Sequence, residues 1–390
     1  MSGVHDRLSE FESDRIYREQ IRPLHLGGVD SSASPTVVLV GGAPGSGKTM
    51  IVPQVAAILA SRSGTPVVVA EGALLAHHPG WERAARSDPR AGERFNPEAD
   101  RWVECLTHDA RDEQRNIVLE TEFANALWLD EKRREFRAAG YRIEAVILAV
   151  EEQRTRRSVI GRYLHAQDKG YIPRLVTAAH HQTTYDGLRT TLKRAEEDRL
   201  VDKLVVIRRD GKEIYSNQVV ADKWQKPHGG VAALDAERKR PLTTTEKVNN
   251  AIAWHELTAR AQLDRRTPDS VLQQAVLWRE EASARAMEDR ECAKQYAWRL
   301  AGESFRVMPR EQFSVEFPAY AGAVERLSQA IEQARFQYSE EANLEEFVRL
   351  ARERLATQIE QGRQFGRIKQ GETPAQGSGA SGGRKPKASR

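Results

Sequence analysis

Two cysteines in 390 residues, Cys105 and Cys292, are too few and too far apart for a disulfide framework, and with His108 the only histidine near either of them the ligands for a structural zinc site are too few. Both are expected to be buried as small hydrophobes. No apolar run approaches the ~20 residues that a bilayer span requires, and the opening MSGVHDRLSEFESDR is charged where a signal peptide has its apolar core. A cytoplasmic protein without a membrane partner is expected. An excess of charge of one sign is also missing. Lys+Arg 60 against Asp+Glu 56 leaves +4, too nearly balanced to imply nucleic acid as a partner. No period recurs along the chain, which excludes a solenoid.

What is present divides into an α/β part and a helical part. Five β-branched apolar runs, at 36–40, 66–70, 116–120, 142–150 and 203–207, lack polar alternation, the pattern of strands buried on both faces of a parallel sheet. Helical stretches separate them, so a mainly parallel sheet flanked by helices is expected over 36–224. A helical arm around Phe11, Ile16 and Ile21 precedes it within 1–35. A polar linker at 225–242 leads to a helical region at 243–364, with a helix start at Thr267-Pro268-Asp269 and breaks at Met308-Pro309 and Phe317-Pro318. The last residues, 365–390, are rich in Gly, Ser and basic side chains and are expected to form a disordered tail.

The chemistry is concentrated in Gly42-Ala43-Pro44-Gly45-Ser46-Gly47-Lys48-Thr49, a complete G-x-x-x-x-G-K-T phosphate loop directly after an expected strand and before an expected helix. Gly45 and Gly47 permit backbone conformations that let successive N–H groups face phosphates, and the helix N-terminus adds positive potential. Lys48 is expected to reach the β and γ phosphates, and the Thr49 hydroxyl to ligate Mg²⁺. ATP with Mg²⁺ is the expected ligand pair. The chain lacks the guanine-selecting N-K-x-D, and no apolar run ends in the paired acids of an ATPase motor, so a kinase fits best. Arginines Arg154, Arg156, Arg157, Arg162 and Arg174 crowd the segment where a kinase lid neutralises the transferring phosphoryl group.

Taken in order, these features resemble the zeta toxin family, P-loop kinases of bacterial toxin–antitoxin systems that phosphorylate UDP-N-acetylglucosamine. The resemblance covers residues 37–216. It rests on GGAPGSGKT, His78-Pro79, the strand ending in Glu120, Gly140-Tyr141, Gly161-Arg162-Tyr163, the Arg174 to His181 spacing, and Arg209-Asp210-Gly211 with Ile214-Tyr215-Ser216. It implies a P-loop kinase-like sheet, a nucleotide-sugar substrate and an antitoxin protein as partner. By position Arg162 and Arg174 are similar to the two arginines that embrace the phosphoryl group, and Glu120 to the acidic residue facing the acceptor and the metal region. His78 and His181 are expected to act in support of the site.

The acceptor half departs from the family. The aspartate that acts there as base for the sugar hydroxyl corresponds to Gly72, within Ala70-Glu71-Gly72, which leaves Glu71 as the carboxylate within reach. The small glycine-containing stretch after Glu120 is Thr121-Glu122-Phe123-Ala124-Asn125, and the threonine expected to touch the sugar nucleotide is Lys132. Two alternatives therefore remain open at this point: a kinase with another small-molecule acceptor, and a non-catalytic nucleotide switch whose helical region binds a partner.

Overall fold

The computed structural model describes residues 8–88, 91–338 and 340–365. The tail expected over 365–390 lies, but for Phe365, outside the described residues, as do the first seven residues of the arm. The chain forms two compact units, Met1–Ala286 and Met287–Arg390.

In the first unit α1 (Glu10–Ile16) runs through a π turn at Tyr17–Ile21 into α2 (Arg22–Leu26). There follow β1 (Thr36–Gly41), α3 (Lys48–Ser63), β2 (Val67–Val69), α4 (Glu71–Leu74), α5 (Trp81–Ser87), α6 (Ala91–Asp112), β3 (Ile117–Thr121), α7 (Ala126–Ala138) and β4 (Arg142–Ala149). Then come α8 (Glu152–Asp168), α9 (Ala178–Glu197), β5 (Lys203–Arg208), β6 (Glu213–Val220), β7 (Lys223–Trp224), α10 (Gly230–Arg238), α11 (Thr244–Leu263) and α12 (Asp269–Met287). The strands make one seven-stranded sheet in the order β2-β3-β1-β4-β5-β6-β7. The first five are parallel, and the last two add an antiparallel ribbon.

All six residues of β1 are buried, as its unbroken Val/Leu run requires of a central parallel strand. Its Val38 lies in register with Val118 on one side and Glu144 on the other. Glu144 is buried because Arg62 and Arg142 pair with its two carboxylate oxygens, at 2.7 and 3.0 Å. In the arm, Ile16 and Ile21 are buried but Phe11 is exposed. Cys292 is buried, whereas Cys105 is only half-buried; both are free thiols.

The helical part is arranged differently from the boundary expected at 225–242. That segment carries α10, whose Leu234 is fully buried and whose first residue, Gly230, donates its N–H to Glu196 Oε2 at 2.9 Å. It is therefore a packed element of the first unit. A capping box between Thr243 and Glu246 starts α11, and the expected start at Asp269 opens α12. Both helices belong to the first unit, because Trp254, Val271, Ala275 and Trp278 share one core with Ile160, Tyr163 and Leu164 of α8. The domain expected at 243–364 is thus divided between the two units.

The second unit contains α13 (Arg290–Val307), α14 (Arg310–Glu316), α15 (Ala321–Gln337) and α16 (Glu341–Glu360). It is closed around Phe305, Phe313, Leu327 and Ile359. Arg306 ties α13 to α16 through Glu353 and Glu360, at 2.9 and 2.5 Å. Among the described residues no helix is long and apolar enough to cross a membrane.

Candidate active site

The parallel strands run toward one edge of the sheet, and the strand order reverses around β1, which opens a crevice beyond the carboxyl ends of β1 and β3. The phosphate loop fills the turn from β1 into α3. Gly45 and Gly47 have φ of +80° and +102°. A Cβ on Gly45 would sit 2.2 Å from the Thr155 carbonyl oxygen, and one on Gly42 would sit 2.5 Å from Ser46 Oγ. The loop has no room for side chains at these positions, and its backbone is available to face phosphate oxygens. Lys48 lies back over the loop and donates from Nζ to the Gly42 carbonyl at 2.7 Å. Burial pushes its ammonium below the ordinary lysine value, against the opposing pull of Glu120 and Glu122.

A cavity of about 680 Å³ gathers the residues that the sequence singles out. Lys48, Thr49, Pro44, Gly45 and Gly47 form its floor, with Glu71 and Gly72 from α4, Glu120 from β3, Arg162 from α8 and Arg174 from the segment before α9 on its walls. Ala43 and Ser46 are buried behind that floor. Among the described residues no group of three or more His, Cys, Asp or Glu could hold a metal ion. The Thr49 hydroxyl, the ligand expected for Mg²⁺, is exposed in the first turn of α3 and lines the cavity.

Glu71 is not free in the cavity. It accepts a hydrogen bond from Arg174 at 2.6 Å, and the same guanidinium donates to Asn96 Oδ1 at 2.8 Å. Arg162 makes no hydrogen bond or ion pair among the described residues, so its donors remain available to an anion. Lys132 is not in the cavity wall. It is buried on α7, where it pairs with Glu104 and, at 3.1 Å, with Glu135. Arg156 is a packing residue held by Glu152 and Glu281, 5.4 Å from the Trp278 ring centroid. His78 packs edge-on against Phe95 and accepts the Gly80 N–H at 3.1 Å, and His181 is fully buried against Thr155. Neither lines the cavity.

Sequence reasoning names Arg209 and Glu122 only as parts of matched or altered stretches and passes over Ser158, Asn96 and His180; all five line the cavity. Arg209 follows β5, donates to the Gly45 carbonyl at 3.0 Å and to Ser158 Oγ at 2.8 Å, and so braces the phosphate loop against α8. Glu122, just past β3, meets His180 Nε2 at 2.7 Å and accepts from Thr184 Oγ1 at 3.0 Å. Burial raises the Glu122 carboxyl, but the His180 bond, the His180 charge, Lys48 and Thr184 together outweigh it and hold the group below the ordinary glutamate value. The His180–Thr184 spacing of four does place both side chains on one helix face, but nothing in the sequence names Glu122, 58 residues from His180, as their partner.

A protein-family model described as Zeta toxin matches residues 26–220. The toxin zeta proteins of Streptococcus pyogenes and Enterococcus hirae are each 24% identical over 187 residues, which is 47% of this chain and 64% of theirs. The chain thus spans less than two thirds of the length of these curated relatives. Among solved structures, one from the PezAT chromosomal toxin–antitoxin system of Streptococcus pneumoniae superposes with a TM-score of 0.53 at 17% identity, over 65% of this chain and 98% of that one. This likeness shows the fold: a P-loop kinase-like sheet flanked by helices.

Proposed function

The chain belongs to the zeta toxin family, and from this we propose that it transfers the γ-phosphate of ATP to a hydroxyl of a nucleotide-sugar, UDP-N-acetylglucosamine foremost, as the toxin of a toxin–antitoxin pair. The observation that carries this reading is the single cavity in which Lys48, Arg162 and Arg174 converge with carboxylates Glu71 and Glu120 on the phosphate loop.

Phosphoryl transfer asks a protein mainly to position two oxygens in line and to neutralise the charge between them. The loop amides and Lys48 hold the triphosphate. Arg162 supplies a planar fork of donors that stays charged at neutral pH. Arg174 joins it by leaving Glu71, a 2.6 Å contact exchanged for phosphate oxygens. Thr49 would hold Mg²⁺, which would add charge neutralisation at the phosphates. Glu120, at the end of β3, orients the acceptor. An antitoxin chain covering this cavity is the expected partner.

The test is incubation with Mg²⁺, labelled ATP and UDP-N-acetylglucosamine, with Lys48→Ala as control. Lys48-dependent formation of a phosphorylated sugar nucleotide is expected. MgATP binding without that product would reject this acceptor. The displacement of Lys132 from the cavity wall and the glycine at position 72 favour, in that event, a kinase acting on another small-molecule hydroxyl.

A further inference from the structure

The acceptor side of the cavity holds a second ionisable pair, which the family resemblance does not assign. His180 stands at the start of α9, where the Thr177 hydroxyl caps its backbone N–H at 3.3 Å, and its side chain is half-exposed to the cavity. Its Nε2 faces Glu122 Oε1 at 2.7 Å, so a neutral imidazole carries its proton on Nε2 and its lone pair on Nδ1. Nδ1 has no partner among the described residues. Thr184 fixes the other carboxylate oxygen, so Glu122 is held from both sides while it orients the ring. This is the arrangement of a base oriented by a carboxylate. The other candidates are placed less favourably: Glu71 pairs with Arg174 until that arginine turns to the phosphate, Glu120 has no hydrogen-bond partner among the described residues to orient it, and position 72 has no side chain.

We propose that His180, oriented by Glu122, is the general base that takes the proton from the acceptor hydroxyl. The inference rests on the kinase reading above. In the step, the acceptor oxygen forms a bond to the γ-phosphorus as the bond from that phosphorus to the β–γ bridging oxygen breaks. The hydroxyl proton passes to Nδ1, ADP leaves with the bridging oxygen, and the imidazolium returns its proton to water. Glu122 touches no reacting atom; it is a positioning residue.

The charged groups facing His180 are Glu122 at the end of β3, Arg174 in the segment before α9, and Glu71 on α4. The Glu122 hydrogen bond dominates and raises the imidazole above its ordinary value, against burial and Arg174. A base raised in this way is protonated in acid, and activity should climb with pH as the proton leaves.

The experiment uses the whole chain with His180→Gln and Glu122→Gln, whose folding is checked by thermal melting. The readouts are kcat and KM against pH with labelled ATP and UDP-N-acetylglucosamine, and the titration of isotopically labelled histidines by NMR, with His180 assigned by its loss in His180→Gln. The expected result is a kcat reduced on the order of 10²-fold in His180→Gln with MgATP affinity retained. In Glu122→Gln the acid limb of the pH profile, and the His180 titration with it, should move to lower pH. An active His180→Gln with an unchanged profile overturns the assignment, and so does a His180 titration that Glu122→Gln leaves in place. If the wild-type chain makes no product while His180 titrates as expected, UDP-N-acetylglucosamine is rejected as the acceptor, and the base role argued for it fails with it. The failure of the base role alone shows only in the variants.

Discussion

Gly72 stands where the family resemblance leads one to expect an aspartate, and the structure leaves room for one. A Cβ at this position meets nothing within 4 Å, and the residue lies in the first turn of α4, on the cavity wall. An aspartate there suits the helix N-terminus, and leaving glycine in a helix gains about 0.5–1 kcal/mol. Gly72→Asp is therefore expected to melt no lower than the wild type. It should raise transfer to UDP-N-acetylglucosamine by about tenfold, a modest share of what base catalysis can contribute. A folded variant without any gain would indicate that His180 already supplies the base or that the acceptor differs. The geometry of the phosphate loop is legible from residues alone because it is a matter of backbone conformation, which its glycines specify locally. The Glu122–His180 pair is not legible, since its meaning lies in a contact made by tertiary packing. Phe123 is a related case. It takes φ +54° with its ring buried, a conformation the residue type disfavours and only its surroundings impose.

At the scale of elements, α8 carries Arg162 and α9 carries His180, so the seating of these two helices against each other sets the geometry of the cavity. His181 makes that seat. The Thr155 hydroxyl donates to the Glu152 carbonyl at 2.7 Å, so it must accept from His181 Nε2–H at 2.9 Å. This leaves the buried Nδ1 without a partner. Burial, then the charges of Arg156, Arg238 and His180, push the imidazole down to about 4. The unfolded chain takes up this proton near pH 6.5 and the folded chain only near pH 4. The unfolded state therefore binds more protons inside this window. The native state is unpenalised above pH 6.5 and loses up to ~3 kcal/mol as pH falls to 4. Chemical denaturation at pH 7 and pH 4.5 should show a smaller acid loss in His181→Gln than in the wild type. Equal losses would remove His181 as the cause. The expected strands and most helices appear where the sequence places them, because unbroken apolar runs and a period of 3.6 are local properties. Periodicity shows that a helix buries one face but not what covers that face, so it could not assign α11 and α12 to the first unit.

For the whole molecule, that assignment decides where the part that carries the cavity ends. The family match stops at residue 220, yet the core beneath α8 is completed by Trp254 of α11 and Trp278 of α12, whose rings meet at 5.9 Å. Ile160 and Leu164, on either side of Arg162, are buried in this core. The helices beyond the family segment therefore hold in place the arginine expected to stabilise the transferring phosphate. Two truncations separate this account from the boundary suggested by composition. A chain ending at Glu288 keeps every cavity residue and the tryptophan core, and should melt cooperatively and bind MgATP within a few-fold of the full chain. A chain ending at Leu242 uncovers Ile160, Tyr163 and Leu164 and removes both tryptophans. Loss of one buried tryptophan side chain costs about 3–5 kcal/mol, against a total stability of about 5–15 kcal/mol for a typical domain. The shorter chain should therefore lack a cooperative melt and any MgATP-induced rise in Tm. If it instead folds and binds MgATP as the longer one does, α11 and α12 do not support the site, and Arg162 is held by the kinase fold alone.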